Sequence, residues 1–295
     1  KDFDVVGVYD AQDLQKHVSE QCLQMKPKVQ ALFTMADVDG CVVVSAEIPG
    51  MDVSERPCFY EGKGRLRGSY KRVGDMDEPM TGYEIYSFEA FRRKYQDDIR
   101  TIDGCGFDTL DPADLANYLL RLKANKPHLA TLRDEQIYPL MSILKDGKVT
   151  LAAEWLFGYY PQAFAPQLCI TAVKFFGEEK GALDSEGNRF EDNKRIEGTI
   201  PEMLDESLAF LRRNLSLSTK IDKQTGKKFD KFDLPIDAVR EVVLNALVHR
   251  DYSIHTEGIP IQVELYSDRL EVSSPGGLYG RLTVDKLGKV QPDTR

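Results

Sequence analysis

The sequence predicts an α/β protein of the α+β kind, in which two sheet-containing domains are joined by a helical connector with a winged-helix-like layout. Short apolar runs of strand length recur along the chain, such as residues 41–44, and none reaches the length of a membrane span. Amphipathic segments with helical spacing separate these runs, as at Leu204, Leu208 and Leu211. The apolar content of 42% and the charged content of 29% are typical of a globular protein with a sizeable core.

The order of these patterns predicts three domains, at residues 1–102, 103–160 and 161–295. In the first domain we expect a helix over residues 10–24, a short helix over 88–94, and strands at 5–8, 31–34, 40–48, 58–60 and 66–73. In the connector we expect helices that begin after Asp111, an N-cap followed by proline, and over residues 131–145 and 150–157. In the last domain we expect strands at 168–176, 259–265 and 269–272, helices at 203–215 and 235–250, and exposed loops at 184–193 and 216–230.

Charge and cysteine usage limit the classes of function. The net charge of -9 argues against a protein that binds nucleic acid over its whole surface, although a local basic cluster is compatible with DNA contact. The five scattered cysteines form no CxxC pair, which indicates free thiols rather than disulfides or a zinc site. With no secretory signal and no membrane span in the sequence, we expect a cytoplasmic protein without membrane contact. We also expect the natural chain to extend beyond both ends.

The sharpest chemical pattern lies in the predicted helix over residues 235–250. Glu241, Asn245 and His249 follow one another at intervals of four, so they share one helical face. A carboxylate can orient a water molecule there, and an amide oxygen can bind Mg²⁺, which prefers oxygen ligands. The alternative from spacing alone is that Glu241 pairs with an arginine and Asn245 only caps or packs.

A second pattern is a basic cluster in the first domain, which we define as Lys63, Arg65, Arg67, Lys71 and Arg72 with the neighbouring Tyr70. On a strand, alternation places Arg65, Arg67 and Lys71 on one face. Such a face can bind phosphates, and the tyrosine can stack or donate a hydrogen bond. The alternative is a solvated edge strand, because lysine and arginine protect sheet edges from unwanted pairing.

Several segments together resemble a known family. They are residues 240–253, then Asp268-Arg269-Leu270-Glu271 and Ser274-Pro275-Gly276-Gly277-Leu278, with weaker support from residues 44–49, 57–60, 70–74, 151–158 and 197–202. The chain is similar to predicted bacterial transcriptional regulators that join a Schlafen AlbA-like amino-terminal domain to a divergent GHKL-type ATPase-like carboxyl domain. Members are often described as divergent AAA proteins or relatives of the RecG helicase. The resemblance spans essentially the whole chain and is strongest in its carboxyl third.

This resemblance implies a DNA-associated transcriptional regulator. Its first domain would meet DNA through the basic cluster, and its last domain would sense a small-molecule or nucleotide effector. Asn245, His249, Gly276 and Gly277 would contact the nucleotide. If the domain is an ATPase with ATP and Mg²⁺ as cofactors, Glu241 is its catalytic residue and Asn245 its Mg²⁺ ligand.

Two departures from the family pattern change the activity that we expect of this protein. Ser273 stands where a GHKL protein has the aspartate that recognises adenine, and a hydroxyl cannot supply that anionic acceptor. The Glu-Ser and Glu-Phe-Lys stretches that usually open the family's first domain are absent. The acidic catalytic residues of related Schlafen nucleases do not map onto this sequence, so we predict no nuclease activity. We therefore expect a regulator with a degenerate nucleotide site, and not an enzyme unless it is an ATPase. An ATP-hydrolysing enzyme and a protein-interaction module remain as alternatives, and the sequence leaves homo-oligomer formation open.

Overall fold

The computed structural model describes residues 4–215, 217–221, 228–232 and 234–289. These residues form two compact units, one drawn from the described residues up to 95 and from 278 onward, and the other from those between 96 and 277. Each unit mixes helices and strands, which confirms the α+β fold class. The division into domains at residues 1–102, 103–160 and 161–295 stays a prediction. Within the described ranges, no helix combines the length and apolar character that a bilayer crossing requires.

The first unit is built from short elements that pair locally. Its described helices and strands are α1 (Ala11–Leu23), β1 (Met25–Lys26), β2 (Leu32–Val38), β3 (Cys41–Glu47), β4 (Phe59–Tyr60), α2 (Gly64–Gly68), β5 (Tyr70–Val73), β6 (Met76–Pro79) and α3 (Gly82–Arg93). The strands form three antiparallel pairs, β1 with β4, β2 with β3 and β5 with β6. Helix α3 starts at a capping box, in which Thr81 and Glu84 satisfy each other's free backbone N–H groups.

The β2–β3 hairpin follows directly from its turn sequence. Val38 pairs with Cys41, so only Asp39 and Gly40 lie in the loop. Both have positive φ, at 53° and 83°, which is the backbone of a type I′ turn. The Asp37 carboxylate accepts a hydrogen bond from the Gly40 N–H at 2.9 Å and closes the turn. The predicted pair of strands around this turn is therefore confirmed.

Two strand predictions for the first unit are wrong. Residues 5–8 form no strand, because Gly7 adopts φ +70° and interrupts the extended backbone. The predicted strand over residues 66–73 begins only at Tyr70, because the preceding residues form α2. The Ser69 hydroxyl donates to the Arg65 carbonyl at 2.7 Å, which holds this short helical turn in place of an extended chain.

The second unit combines a helical part with a sheet covered by helices. Its described elements are α4 (Pro112–Asn125), α5 (Pro127–Ala130), α6 (Asp134–Leu140), β7 (Leu144–Lys145), β8 (Lys148–Val149), α7 (Leu151–Phe157), β9 (Ile170–Phe175), β10 (Phe190–Ile196), α8 (Ile200–Asn214), β11 (Leu217–Ile221), β12 (Lys228–Phe232), α9 (Ile236–Val248), β13 (Ile261–Leu265) and β14 (Leu270–Ser273). The predicted helices over residues 203–215 and 235–250 correspond to α8 and α9.

The four-stranded sheet has the order β10-β9-β13-β14. The central strands β9 and β13 are parallel, with Ile170 opposite Ile261, and both outer pairs are antiparallel. Alternate side chains of the central strands are fully buried, whereas the edge strand β10 is mostly exposed. Helices α8 and α9 pack against this sheet through residues such as Phe210 and Val243, both 0% exposed.

Helix α7 contributes to two separate hydrophobic cores. Leu151 and Trp155, one turn apart, belong to the core between the sheet and helices α8 and α9. Ala153 and Phe157, on another face, belong to the core formed with α4 and α6. Side chains four residues apart lie above one another on a helix, so a seven-residue segment can serve both cores. The helical part and the sheet are thereby packed into one unit.

Three predictions for the second unit differ from the structure. The helix expected over residues 131–145 is limited to α6, and β7 and β8 form a short hairpin around Asp146 and Gly147, which both have positive φ. The polar segment over residues 184–193 ends in strand β10, which was not expected. The loop expected over residues 216–230 contains β11, paired with β12. Residues 216 and 222–227 of that loop lie outside the described residues.

A carboxyl group is buried inside the helical part of the second unit. Glu154 is 0% exposed, and its Oε2 accepts a hydrogen bond from the Thr109 hydroxyl at 2.7 Å. The Cys105 thiol is its other polar neighbour. Burial raises the pKa of Glu154 above its usual 4.5, and burial beside this carboxyl raises the pKa of Cys105 to about 12. Burial in this part of the fold therefore disfavours the charged form of both groups.

Replacing this carboxyl should change how stability depends on pH. The pKa of Glu154 is higher in the folded state than in the unfolded state. At pH values above about 4.5, the folded protein therefore retains more protons than the unfolded protein does. The free energy of unfolding should therefore fall from that pH up to the folded-state pKa. Glu154→Gln should flatten this fall, as measured by urea unfolding at a series of pH values. Glu135→Gln, at an exposed position, is the control, and an unchanged profile in Glu154→Gln would contradict the prediction.

Candidate functional site

Helix α9 presents one buried and one exposed face. Val239, Val243, Ala246 and Leu247 are buried against the sheet and α8, with the spacing of an amphipathic helix. The helix begins directly after Pro235. Packing of the apolar residues fixes the rotation of the helix about its axis. The residues between them, which include the predicted site residues, therefore face outward.

Glu241 and Asn245 form a hydrogen-bonded pair on the exposed face of α9. The Asn245 amide nitrogen donates to Glu241 Oε1 at 3.0 Å. Both side chains are exposed, and no arginine forms an ion pair with Glu241 in the part of the chain that the structure describes. The structural alternative of a Glu241–arginine pair therefore finds no support. The pairing leaves the Asn245 amide oxygen and the second carboxylate oxygen of Glu241 accessible.

His249 lies just beyond the helix rather than within it. The helix ends at Val248, and His249 is its C-cap, with a backbone N–H that donates to the Asn245 carbonyl at 2.9 Å. Its side chain is exposed. The predicted arrangement of three residues along one helical face thus holds for Glu241 and Asn245 within α9, with His249 at its end.

The residues that follow His249 have structural roles. The Arg250 guanidinium is 2% exposed, and its Nη2 donates to the carbonyls of Thr256 at 3.2 Å and Ile259 at 2.9 Å. Burial lowers the pKa of Arg250. The Tyr252 hydroxyl donates to the Leu247 carbonyl at 2.5 Å. The turn between α9 and β13 is therefore tied together by these two side chains.

The glycine bend after β14 is bound to the end of α9. The Ser274 hydroxyl donates to the Ala246 carbonyl at 3.0 Å, and the Asp251 N–H donates to the Pro275 carbonyl at 2.9 Å. Gly276 has φ +130°, and a Cβ there would lie 3.1 Å from the Asp251 Cβ. A Cβ at Gly277 would meet no atom within 4 Å. The structure therefore brings the bend to the same helix end as His249, with Gly276 packed and Gly277 open.

The donor set fits the phosphate end of a Mg²⁺ nucleotide better than its base. Mg²⁺ is commonly held by one or two protein oxygens together with phosphates, and Glu241 and Asn245 offer such oxygens on an accessible face. Ser273, the last residue of β14, pairs with Gln262 and offers a neutral hydroxyl rather than an anionic acceptor for a base amino group. The described residues contain no cluster of three or more His, Cys, Asp or Glu suited to a metal ion.

The basic cluster does not lie on one strand face. Arg65 and Arg67 are in helix α2, whereas Lys71 and Arg72 are in β5. The alternation expected for Arg65, Arg67 and Lys71 is therefore wrong, because the chain is helical up to Gly68. Tyr70 begins β5 and is 42% exposed.

Carboxylates neutralise most of the cluster. Arg65 forms an ion pair with Glu89, Lys71 lies 2.6 Å from Glu84, and Arg72 lies 3.0 Å from Asp77. The Lys71–Glu84 hydrogen bond raises the pKa of Lys71 and lowers the pKa of Glu84. The sequence analysis did not identify these carboxylates as ion-pair partners, although Asp77, Glu84 and Glu89 come shortly after the basic residues in the chain.

Two members of the cluster remain without a carboxylate partner. Lys63 and Arg67 are exposed, and neither forms an ion pair with any of the described residues. The Lys63 ammonium lies 5.9 Å from the centre of the Tyr70 ring. Of the basic cluster, only Lys63 and Arg67 can therefore bind an anion without first breaking an ion pair with a described residue.

Comparison with known proteins gives one family match. Residues 258–295 match the family described as "Putative ATP-dependent DNA helicase recG C-terminal". This segment contains β13, β14 and the glycine bend. The match supports an ATPase-like carboxyl-terminal part in this chain.

Comparison with solved structures gives a looser likeness. The chain is similar to the DIP2311 protein from Corynebacterium diphtheriae, with 21% sequence identity and a TM-score of 0.43. The alignment covers 94% of this chain and 50% of that protein, so this chain spans half the length of its structural neighbour. No curated protein is similar enough to count as a match.

Removing the buried guanidinium should destabilise the turn after α9. Arg250→Met keeps an apolar side chain of comparable length but leaves the Ile259 carbonyl without its guanidinium donor and the Thr256 carbonyl with only the Ile259 N–H. We expect a loss of about 2–3 kcal/mol in the free energy of unfolding, measured in urea. Arg240→Met, an exposed change in α9, should alter it by less than about 0.5 kcal/mol. Equal effects of the two changes would show that the Arg250 hydrogen bonds do not stabilise the fold.

Proposed function

We propose that this chain belongs to a DNA-associated transcriptional regulator whose ATPase-like carboxyl-terminal part senses a phosphate-bearing effector. The observation that carries this proposal is the exposed Glu241–Asn245 pair on α9, at 3.0 Å. The helix ends at Val248, shortly before residues 258–295, which match a family whose description includes an ATP-dependent DNA helicase. Nucleotide and DNA are therefore the two ligand classes that the proposal combines.

Glu241 and Asn245 have separate roles in the proposed site. The Asn245 amide oxygen would serve as a protein ligand to Mg²⁺, which when bound neutralises phosphate charge. The Glu241 carboxylate accepts from the Asn245 amide, which orients both groups. Because Ser273 supplies no anionic acceptor, recognition depends on the phosphates and discriminates little between bases. This differs from an adenine-specific ATPase, which is the alternative function.

A binding experiment distinguishes a sensor that recognises phosphates from an adenine-specific ATPase. ATP, GTP and inorganic triphosphate, each with Mg²⁺, should bind to the chain with affinities within about threefold of one another, measured by isothermal titration calorimetry. Asn245→Ala should weaken all three by about tenfold, because a charge-assisted Mg²⁺ contact is lost. Asp237→Asn, also exposed on α9, is the matched control and should leave binding unchanged.

Two results would contradict the proposed effector. Absence of binding by all three compounds would remove the sensing role and favour a protein-interaction module. Binding that is equally strong in Asn245→Ala would remove α9 from the site. A strong preference for ATP, with phosphate release that is lost in Glu241→Gln, would instead establish the ATPase.

The DNA part of the proposal depends on Lys63 and Arg67. A cation that is already paired with a carboxylate gains less from a phosphate, because the existing pair must first be broken. Unpaired exposed cations can bind a phosphate directly and release its counterions. Lys63 and Arg67 are therefore better candidates for DNA contact than Arg65, Lys71 or Arg72.

Salt dependence of DNA binding tests this assignment. Arg67→Ala should weaken binding and reduce the slope of log affinity against log salt by about 1, the value for one lost phosphate contact. Arg72→Ala removes the same charge, but from a residue that lies 3.0 Å from Asp77, and should change the slope much less. Equal slopes for the two variants and the unmodified chain would remove the basic cluster from the proposal.

A further inference from the structure

The second unit contains an apolar cavity of about 290 Å³ at the end of helix α9. Its lining includes Val248, in the last turn of α9, but neither Glu241 nor Asn245. Helix α7 supplies half of the lining, and the rest comes from Asp98, the end of α9, the turn after it and the start of α8. The cavity is therefore separate from the polar pair to which we assign the phosphate-bearing effector.

The walls of the cavity are made of apolar and aromatic side chains. Trp155 and Tyr252 are 2% and 8% exposed, whereas Leu156 and Val248 are 39% and 48% exposed. Exposed apolar surface inside a concave site gains free energy when a ligand removes it from water. The volume is near the lower end of ligand pockets, which span roughly 300–1,000 Å³, so it suits one ring or a branched aliphatic group rather than a whole nucleotide.

One polar group in the lining is open to a ligand. Asp98 is the only charged residue of the lining, and it forms no ion pair in the described part of the chain. The Tyr252 hydroxyl, in contrast, already donates to Leu247. An exposed carboxylate without an ion pair can accept a charge-assisted hydrogen bond from a ligand cation without first losing another cation.

We propose that this cavity is a binding site for a small organic cation, namely a compound with an apolar ring and a protonated amine at its edge. The ring fills the space beside Trp155 and Leu156. The ammonium forms a charge-assisted hydrogen bond with the Asp98 carboxylate. The aromatic face of Trp155 adds cation–π attraction when the charge lies over it, whereas the Tyr252 ring already has the Arg250 guanidinium 5.4 Å from its centre.

The chain provides its own reporter for this site, because Trp155 is its single tryptophan. Benzylamine is a suitable probe, and benzyl alcohol is a neutral compound of nearly the same shape. Titration with benzylamine should change the tryptophan fluorescence in a saturable way. Benzylamine should bind about five- to tenfold more tightly than benzyl alcohol, which lacks the charge that meets Asp98.

Variants assign the binding to the cavity. Asp98→Asn should remove the preference for benzylamine over benzyl alcohol, and Ala152→Leu should abolish binding of both by filling the cavity. Asp205→Asn, at an exposed carboxylate of α8 outside the lining, is the charge-matched control and should change neither affinity. Circular dichroism checks the fold, and if Ala152→Leu does not fold, Asp98→Asn decides alone.

The proposal is overturned by any of three results. These are a fluorescence signal that does not saturate with benzylamine, equal affinity for the amine and the alcohol, or an unchanged preference in Asp98→Asn. Asn245→Ala should leave benzylamine binding intact. This variant therefore separates failure of the cavity proposal from failure of the proposed nucleotide site.

Discussion

The packing of helix α7 between two hydrophobic cores is the constraint on which the second unit depends. Leu151 and Trp155 face one core, and Ala153 and Phe157 face the other. The helix has only seven residues, so few of its positions can change without disturbing a core. The same arrangement buries Glu154 and places Trp155 in the wall of a cavity. The fold of the second unit, its buried carboxyl group and its cavity thus follow from one helix.

The motif at the end of α9 divides into a structural and a chemical part. Arg250 and Tyr252 are buried and bond to backbone carbonyls, so they hold the turn and the helix end in fixed positions. Glu241 and Asn245 are exposed and bond to each other, so they are available to a ligand. The segment over residues 240–252 therefore combines a buried scaffold with an exposed polar pair.

Helices with clear caps and apolar stripes were predictable from the sequence, and α8 and α9 are the clearest examples. Strand β10 was not, because it lies at a sheet edge, where polar and charged side chains are tolerated. Helix α2 was not, because five residues are too few to show helical periodicity. The Glu241–Asn245 contact follows from local spacing, whereas the pairing of Arg65 with Glu89 depends on tertiary packing and required the structure.

The close contact between Gly276 and Asp251 limits how specificity can change in this protein. A side chain at Gly276 would be crowded by the Asp251 Cβ, 3.1 Å away, and would also be strained by the positive φ. Substitution at this position should therefore destabilise the bend. Position 277 is open on the Cβ side, so a library that seeks new ligand preferences near the bend has room there. Such a library should vary position 277 and keep Gly276 unchanged.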